Sequence, residues 1–261
     1  MNRRRLARNI EGASNPLISR GGISLAVLAS LVAAPAAAEA FDATYRASLA
    51  GLTIGTARVV GRVGETSYRV QMDGSMSLLG FTNRFEASAT GATRETRLVP
   101  QRYALAVEGF RKRRVAVTFA DGKAVQIALD PEPEAAERAA RVALAPEHQI
   151  GVSDPLSALL TQVVRGAGAG DPCNGLARVF SGQARFDVEL QPSRADAEEI
   201  VCRATVTPIA GHLRSGGRGG PTRPLEIAFP KAVTDGFRLP TRIEMPLPAG
   251  TLVIQKAPAP I

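Results

Sequence analysis

Apolar and polar residues alternate along most of this chain with a period of two, the pattern of strands that bury one face. Phe41, Ala43, Tyr45, Ala47 and Leu49 alternate with Asp42, Thr44, Arg46 and Ser48. The rhythm continues through 54–63, through Tyr68, Val70 and Met72, through 81–90, and past Pro100 into Tyr103, Leu105 and Val107. Val115, Val117 and Phe119 lead to Asp121-Gly122, a pair that tolerates the positive φ of a type I′ turn, and Val125, Ile127 and Leu129 lead away from it. A second set follows: 176–180 and 185–190, with Phe186, Val188 and Leu190 inward and Arg185, Asp187 and Glu189 outward, then 200–206, 225–229, 237–245 and 251–254. The prolines between the last two predict that this pair lies at a sheet edge. About thirteen strands are expected.

One stretch breaks the period. In Gly151–Arg165 the residues Leu156, Leu159, Leu160, Val163 and Val164 recur at helical spacing, and Ser157, Thr161, Gln162 and Arg165 are predicted to face away. Asp154 is placed to cap the first turn and Pro155 suits the first helical position, where its missing N–H is not needed. A lone helix of this kind buries its stripe only against a sheet, so it is expected to plug or cover a curved β structure. The spacing of Asp154 and Ser157 is that of a cap and its first turn and predicts architecture, not catalysis. Residues 131–146, Ala-rich and with Glu134/Arg138 and Glu137/Arg141 at i, i+4, read as a loose connector with at most a short solvated helix.

Residues 1–40 read as a cleaved export segment, leaving 41–261 as a single β-rich domain. Arg3, Arg4, Arg5, Arg8 and Arg20 form a basic leader, 23–34 is apolar, and Ala38-Glu39-Ala40 is a small-x-small step before Phe41. No cysteine adjoins that step, so a lipid anchor is not expected, and no later run is long enough to span a bilayer. The predicted location is the periplasm. The formal charge is +8, of which the leader's five Arg and two Glu supply three, leaving a mild basic excess. Without Trp and with few aromatics, the chain offers no stacking platform for nucleic acid.

Cys173 and Cys202, the only two cysteines, are expected to form one structural disulfide in an exported chain. His148 and His212 have no partner at metal-ligand spacing, no Ser lies in a GxSxG elbow, and the glycines of 166–170 and 216–220 do not run from a strand into a helix. No metal, cofactor or catalytic residue is predicted. Two basic clusters, Arg111-Lys112-Arg113-Arg114 and Arg214 with Arg218 and Arg223, are candidate contacts for anionic lipid phosphates.

Several of these features together resemble a bacterial envelope family defined only as a domain of unknown function, DUF3108. They are Tyr45 with Gly51 and Gly55, Pro100-x-x-Tyr103, Ser153-Asp154-Pro155-Leu156-Ser157-Ala158-Leu159 ahead of Arg165, Pro172-Cys173, Phe180-Ser181-Gly182 leading to Arg185-Phe186-Asp187, Cys202, and Leu239-Pro240. Ser181 departs from the Asp-Gly turn of that family, but Ser-Gly also turns. The resemblance implies a secreted antiparallel β protein and no activity or site residue. At fold level alone such sheets are similar to periplasmic lipoprotein carriers.

The expected fold is therefore mainly β: a long curved antiparallel sheet, an open barrel or half-barrel, with one packed amphipathic helix. The expected function is non-catalytic binding of an apolar or lipid-like ligand, a lipoprotein or an envelope protein, beneath a lid built on Asp154, Pro155, Leu156, Leu159, Leu160 and Val163. The membrane would be touched at its surface and not spanned. The rival readings are an assembly factor with a packed interior and a hydrolase resting on His148 or His212.

Overall fold

A computed structural model describes residues 38–94, 97–110, 112–167, 171–214, 224–234 and 236–258. By its contacts the chain divides into residues 1–35 and 36–261, and only the second unit falls within the described residues. The leader expected over 1–40 lies outside them except for its last three residues, as do Arg111, Arg218 and Arg223 and most of the two glycine-rich runs.

Thirteen strands form one antiparallel sheet. The first seven are β1 (Glu39–Leu49), β2 (Leu52–Val63), β3 (Ser67–Leu78), β4 (Phe81–Arg94), β5 (Arg97–Gly109), β6 (Arg113–Ala120) and β7 (Lys123–Asp130). After the helices α1 (Ala135–Ala139) and α2 (Pro155–Ala167) come β8 (Gly175–Phe180), β9 (Arg185–Ala195), β10 (Glu199–Ala210), β11 (Pro224–Pro230), β12 (Arg242–Leu247) and β13 (Gly250–Lys256). The spatial order β7-β6-β5-β4-β3-β2-β1-β13-β12-β11-β10-β9-β8 joins two meanders through the β1–β13 pair. Alternation locates the strands, understating the length of most and placing the start of the strand expected over 237–245 five residues early, since β12 begins at Arg242. β3 runs on through Gly74, Ser75 and Ser77, because β2 and β4 offer a backbone partner at every step whatever the side chain.

The C-terminal hairpin corrects the predicted edge position, since β13 lies between β1 and β12 and β12 between β13 and β11. Pro246 is tolerated because β11 pairs with β12 only over Arg242–Glu244, so no β11 carbonyl calls for the missing N–H.

The true edges are β7 and β8, and the gap between them is closed by the residues that lead into α2, with the predicted connector 131–146 contributing Val142. Gly151 and Val152 donate their N–H groups to the Gly122 carbonyl at 2.7 and 3.3 Å, and Ser153 bridges to β8 in parallel, its N–H on Arg178 O and its carbonyl accepting from Phe180 N, both at 2.8 Å. Further back, Val142 exchanges backbone bonds with Gly211 and His212. Two unpaired edges leave a row of backbone groups in need of partners, and this segment supplies them. The expected Glu137–Arg141 pair forms at 2.8 Å, while Arg138 turns to Glu132 instead of Glu134.

The β8–β9 turn presses onto β6, next to the other edge. A Cβ on Gly182, which has φ +88°, would stand 2.5 Å from Val115 Cγ1, and Gln183 accepts from Arg113. The sheet is thus nearly closed and barrel-like. Contact on both faces of this hairpin end buries Arg185, which was expected outside, against Asp187 and the Phe186 carbonyl.

The interior has two apolar clusters. One gathers Phe41, Tyr68, Val70, Tyr103, Val117, Leu160 and Phe180 beneath α2. The other surrounds the Cys173–Cys202 disulfide with Leu190, Ala204, Ile227 and Phe229. That bond closes a loop with a sequence separation of 29. Replacing both cysteines with Ser should lower unfolding free energy by roughly 3–4 kcal/mol in urea titrations, the chain-entropy expectation. At the seam, Gly182→Ala should cost about 1–3 kcal/mol from overpacking and positive φ together, whereas Gly64→Ala, where only ordinary contacts await a Cβ, should cost clearly less.

Candidate ligand-binding site

The site is built around α2, whose start is set locally. The Asp154 carbonyl accepts the first helical bond from Ala158 N, and its Oδ1 accepts from Ser157 N at 2.9 Å, as the cap reading expects. Pro155 occupies the first helical position. The preceding bridge at Ser153 ties this end of the helix to β8, and α2 also packs on β3, β4 and β5.

Leu156, Leu160 and Val163 are buried, as the stripe predicts, but the solvent-facing side is not where the spacing puts it. Ser157 and Gln162 are buried, and Leu159, a member of the stripe, is 37% exposed. The spacing assumes one covering surface. Here the sheet curves around the helix, so β8 and β3–β5 bury it from more than one side.

The inward side of the helix N-terminus is polar. Ser157 Oγ lies 2.6 Å from the Tyr68 hydroxyl, and Asp154 stands near enough to Tyr68 and Tyr103 for its charge to oppose their ionisation. Burial, before that charge, pushes both phenols up. Burial likewise pushes the Asp154 carboxyl above the ordinary carboxylate range, offset in part by the Ser157 hydroxyl and the N–H groups of Ser157 and Leu156. Its Oδ2 has no hydrogen-bond partner among the described residues.

Next to this polar patch lies a cavity of about 310 Å³ whose lining is almost wholly apolar. Leu156, Leu159, Leu160 and Val163 roof it. Phe41, Tyr45, Val59, Val70, Met72 and Phe85 from β1–β4 wall it, and the wall continues from β1 through Ile254 of β13 and Ile243 of β12 to Leu239 and Pro240. The Tyr45 hydroxyl donates to Pro240 O at 3.1 Å, which turns the polar end of that ring away and holds the 237–241 segment across from β1. Phe41 and Phe237 pack edge to face at 4.8 Å. Met76 and Leu159 line the cavity and are partly exposed, so this side is its mouth. The wall from β12, β13 and 237–241 escaped sequence reasoning. Only Leu239-Pro240, singled out for the family resemblance, signalled it.

A wider hollow of about 750 Å³ is an open groove on the outer face of β2–β7, floored by Ala104, Ala106, Ala116 and Ala128 and flanked by Arg58, Asp73, Glu86 and Arg114. It offers no enclosed surface, and Arg58 and Arg114 there are engaged by carboxylates. Of the predicted basic contacts, Lys112 is exposed, Arg113 is bound to Gln183 and Glu137, and Arg114 bridges Glu108 and Asp130 at 3.0 and 3.5 Å. Arg214 donates to Arg141 O. His148 Nδ1 accepts from Ala145 N at 3.0 Å, and neither histidine lines the cavity. Among the described residues no three His, Cys, Asp or Glu side chains gather as metal ligands, and no helix is long and apolar enough to cross a membrane.

A carboxyl raised in the folded state holds more protons folded than unfolded, so its contribution is fullest below the unfolded value and is lost as pH rises towards the folded one. Stability of the wild type relative to Asp154→Asn, which keeps a cap acceptor, should therefore fall as pH rises from about 4 towards neutrality. Chemical denaturation at several pH values reads this directly. Parallel curves would show that Asp154 ionises freely in the fold.

No curated protein and no solved structure matches the chain. A family model does, over residues 41–256, nearly the whole described sheet, and its description is a protein of unknown function, DUF3108. The chain belongs to the DUF3108 family.

Proposed function

We propose that this protein is a non-catalytic, exported binding protein of the periplasm that holds one hydrocarbon chain of a lipid-like ligand between α2 and the β1–β4 wall. The observation that carries this reading is the cavity itself: about 310 Å³, roofed by the helix stripe, with scarcely a polar atom exposed inside. That volume lies at the lower end of the roughly 300–1,000 Å³ typical of small-molecule sites, room for a slender apolar group. The two phenols nearest it are occupied, Tyr45 by Pro240 and Tyr68 by Ser157, and the lining exposes almost no polar surface, so recognition rests on apolar contact and shape. The disulfide and the absence of a membrane-spanning helix among the described residues are compatible with export.

A fluorescent polyene fatty acid added to the purified protein should bind and be displaced by palmitate. Leu160→Trp fills the cavity from its roof, and Leu159→Trp narrows its mouth from a half-exposed position where overpacking of the core is avoided. Each should weaken probe binding by about tenfold or more, the loss of one well-filled apolar contact. Failure of the wild type to bind, or equal affinity in both variants, would favour a packed scaffold.

A further inference from the structure

The two ends of the sheet differ in a way the cavity does not require. The turns after β1, β3 and β5, and the β12–β13 turn beside them, lie at one end, as alternate turns of an antiparallel meander must. Ala50 N–H donates to Thr251 O, joining the last of these to the first. This rim exposes large apolar side chains: Leu79 at 88%, Leu52 at 74%, Phe110 at 64% and Phe81 at 52%. The Phe81 and Phe110 rings lie 4.5 Å apart, so the β3–β4 and β5–β6 turns share one patch. The opposite rim turns on Gly64-Glu65 and Asp121-Gly122.

Two further observations say what covers this patch. Leu79 sits at φ 53°, a left-handed position that Asn, Asp or Gly fills with less strain, so the chain holds a leucine where both solvent and backbone oppose it. The four turns themselves carry no anionic side chain: there is no Asp or Glu in 49–56, 74–84, 109–114 or 245–252, while Lys112 and Arg84 are exposed, and Glu108, the cross-strand neighbour of Arg84, is already paired with Arg114. Apolar tips with cations and no carboxylates match the boundary between acyl chains and anionic headgroups. Two copies meeting tip to tip would bring like charges together.

We propose that this rim docks on a lipid bilayer bearing anionic headgroups, with Leu79, Phe81, Phe110 and Leu52 entering the interfacial region and Lys112 and Arg84 facing phosphates. The docking shifts membrane contact from the ion-paired Arg113 and Arg114 to the hairpin tips. It also faces the cavity mouth. Met76 and Phe85 line the cavity, and Leu78 and Phe81, two and four residues on along the same sheet face, extend that lining to the rim. The docking stands whether or not the cavity holds a hydrocarbon.

The chain has no Trp, so Leu79→Trp in the full chain reports from the tip alone, and Glu65→Trp is its control at the opposite rim. With vesicles of phosphatidylglycerol and phosphatidylethanolamine, emission of Leu79→Trp should shift to the blue and be quenched by brominated acyl chains, several-fold less with phosphatidylcholine, and Glu65→Trp should not respond. Leu79→Asn/Phe81→Ser/Phe110→Ser should cosediment with vesicles about tenfold less than wild type, and Leu79→Asn alone should melt no lower than wild type, because Asn accepts the positive φ. No response at Leu79→Trp, or equal responses at both rims, overturns the proposal. A concentration-dependent dimer that the triple variant abolishes, without vesicle quenching, overturns it in favour of a second copy. Fatty-acid binding measured without vesicles tests the cavity separately, so either reading can fail alone.

Discussion

The interior depends on how the two unpaired edges of the sheet are bridged, and the bridge turns on Ser153. Its backbone is the link that ties the connector to β8, with N–H on Arg178 and carbonyl on Phe180. The next residue, Asp154, caps α2, so the helix starts where the seam is tied and is aimed inward from there. A sheet of thirteen strands left open would expose two rows of backbone donors and acceptors and a broad apolar face. Closing it with a short segment and one helix satisfies both needs at once.

The same arrangement divides the interior by polarity. At the helix N-terminus the carboxyl of Asp154, the hydroxyl of Ser157 and the Tyr68 phenol are buried together, a placement that is tolerable only because the free N–H groups of the first turn face them. One turn further along, the side chains are Leu160 and Val163, and the space they cover is apolar and incompletely filled. Cores are normally packed to crystal-like density, so an apolar hollow of this size beside a well-packed cluster is the feature that most sets this interior apart.

Charge is distributed with equal economy on the outer surface. Several strand arginines are matched by carboxylates on nearby strands, Arg58 by Asp42, Arg114 by Glu108 and Asp130, and Arg194 across β10 by Glu226. Exposed pairs of this kind add little stability. The rim of apolar turns stands apart from that pattern, since its turns carry no carboxylate and Leu52, Leu79, Phe81 and Phe110 are all exposed there.

The sequence by itself determined what depends on near neighbours. Alternation located the strands, Asp121-Gly122 located a hairpin whose φ values of 50° and 73° are both positive, and Asp154-Pro155 located the start of α2. The two cysteines had only each other to pair with. The tertiary structure alone decided which sides of α2 are buried, because helical spacing cannot show that a sheet bends around Ser157 and Gln162. It decided that the C-terminal hairpin lies inside the sheet, because a proline's missing N–H matters only where the adjacent strand reaches it. It drew the predicted connector 131–146, through Val142, and the residues 151–153 that lead into α2 into one seam, because the need for that seam arises from two edges more than forty residues apart in the chain. And it decided that the interior is hollow at one place, because Ala, Val, Leu and Phe suit a packed core and an open cavity equally well, and the gap between their volume and the space enclosed exists only once the sheet has closed.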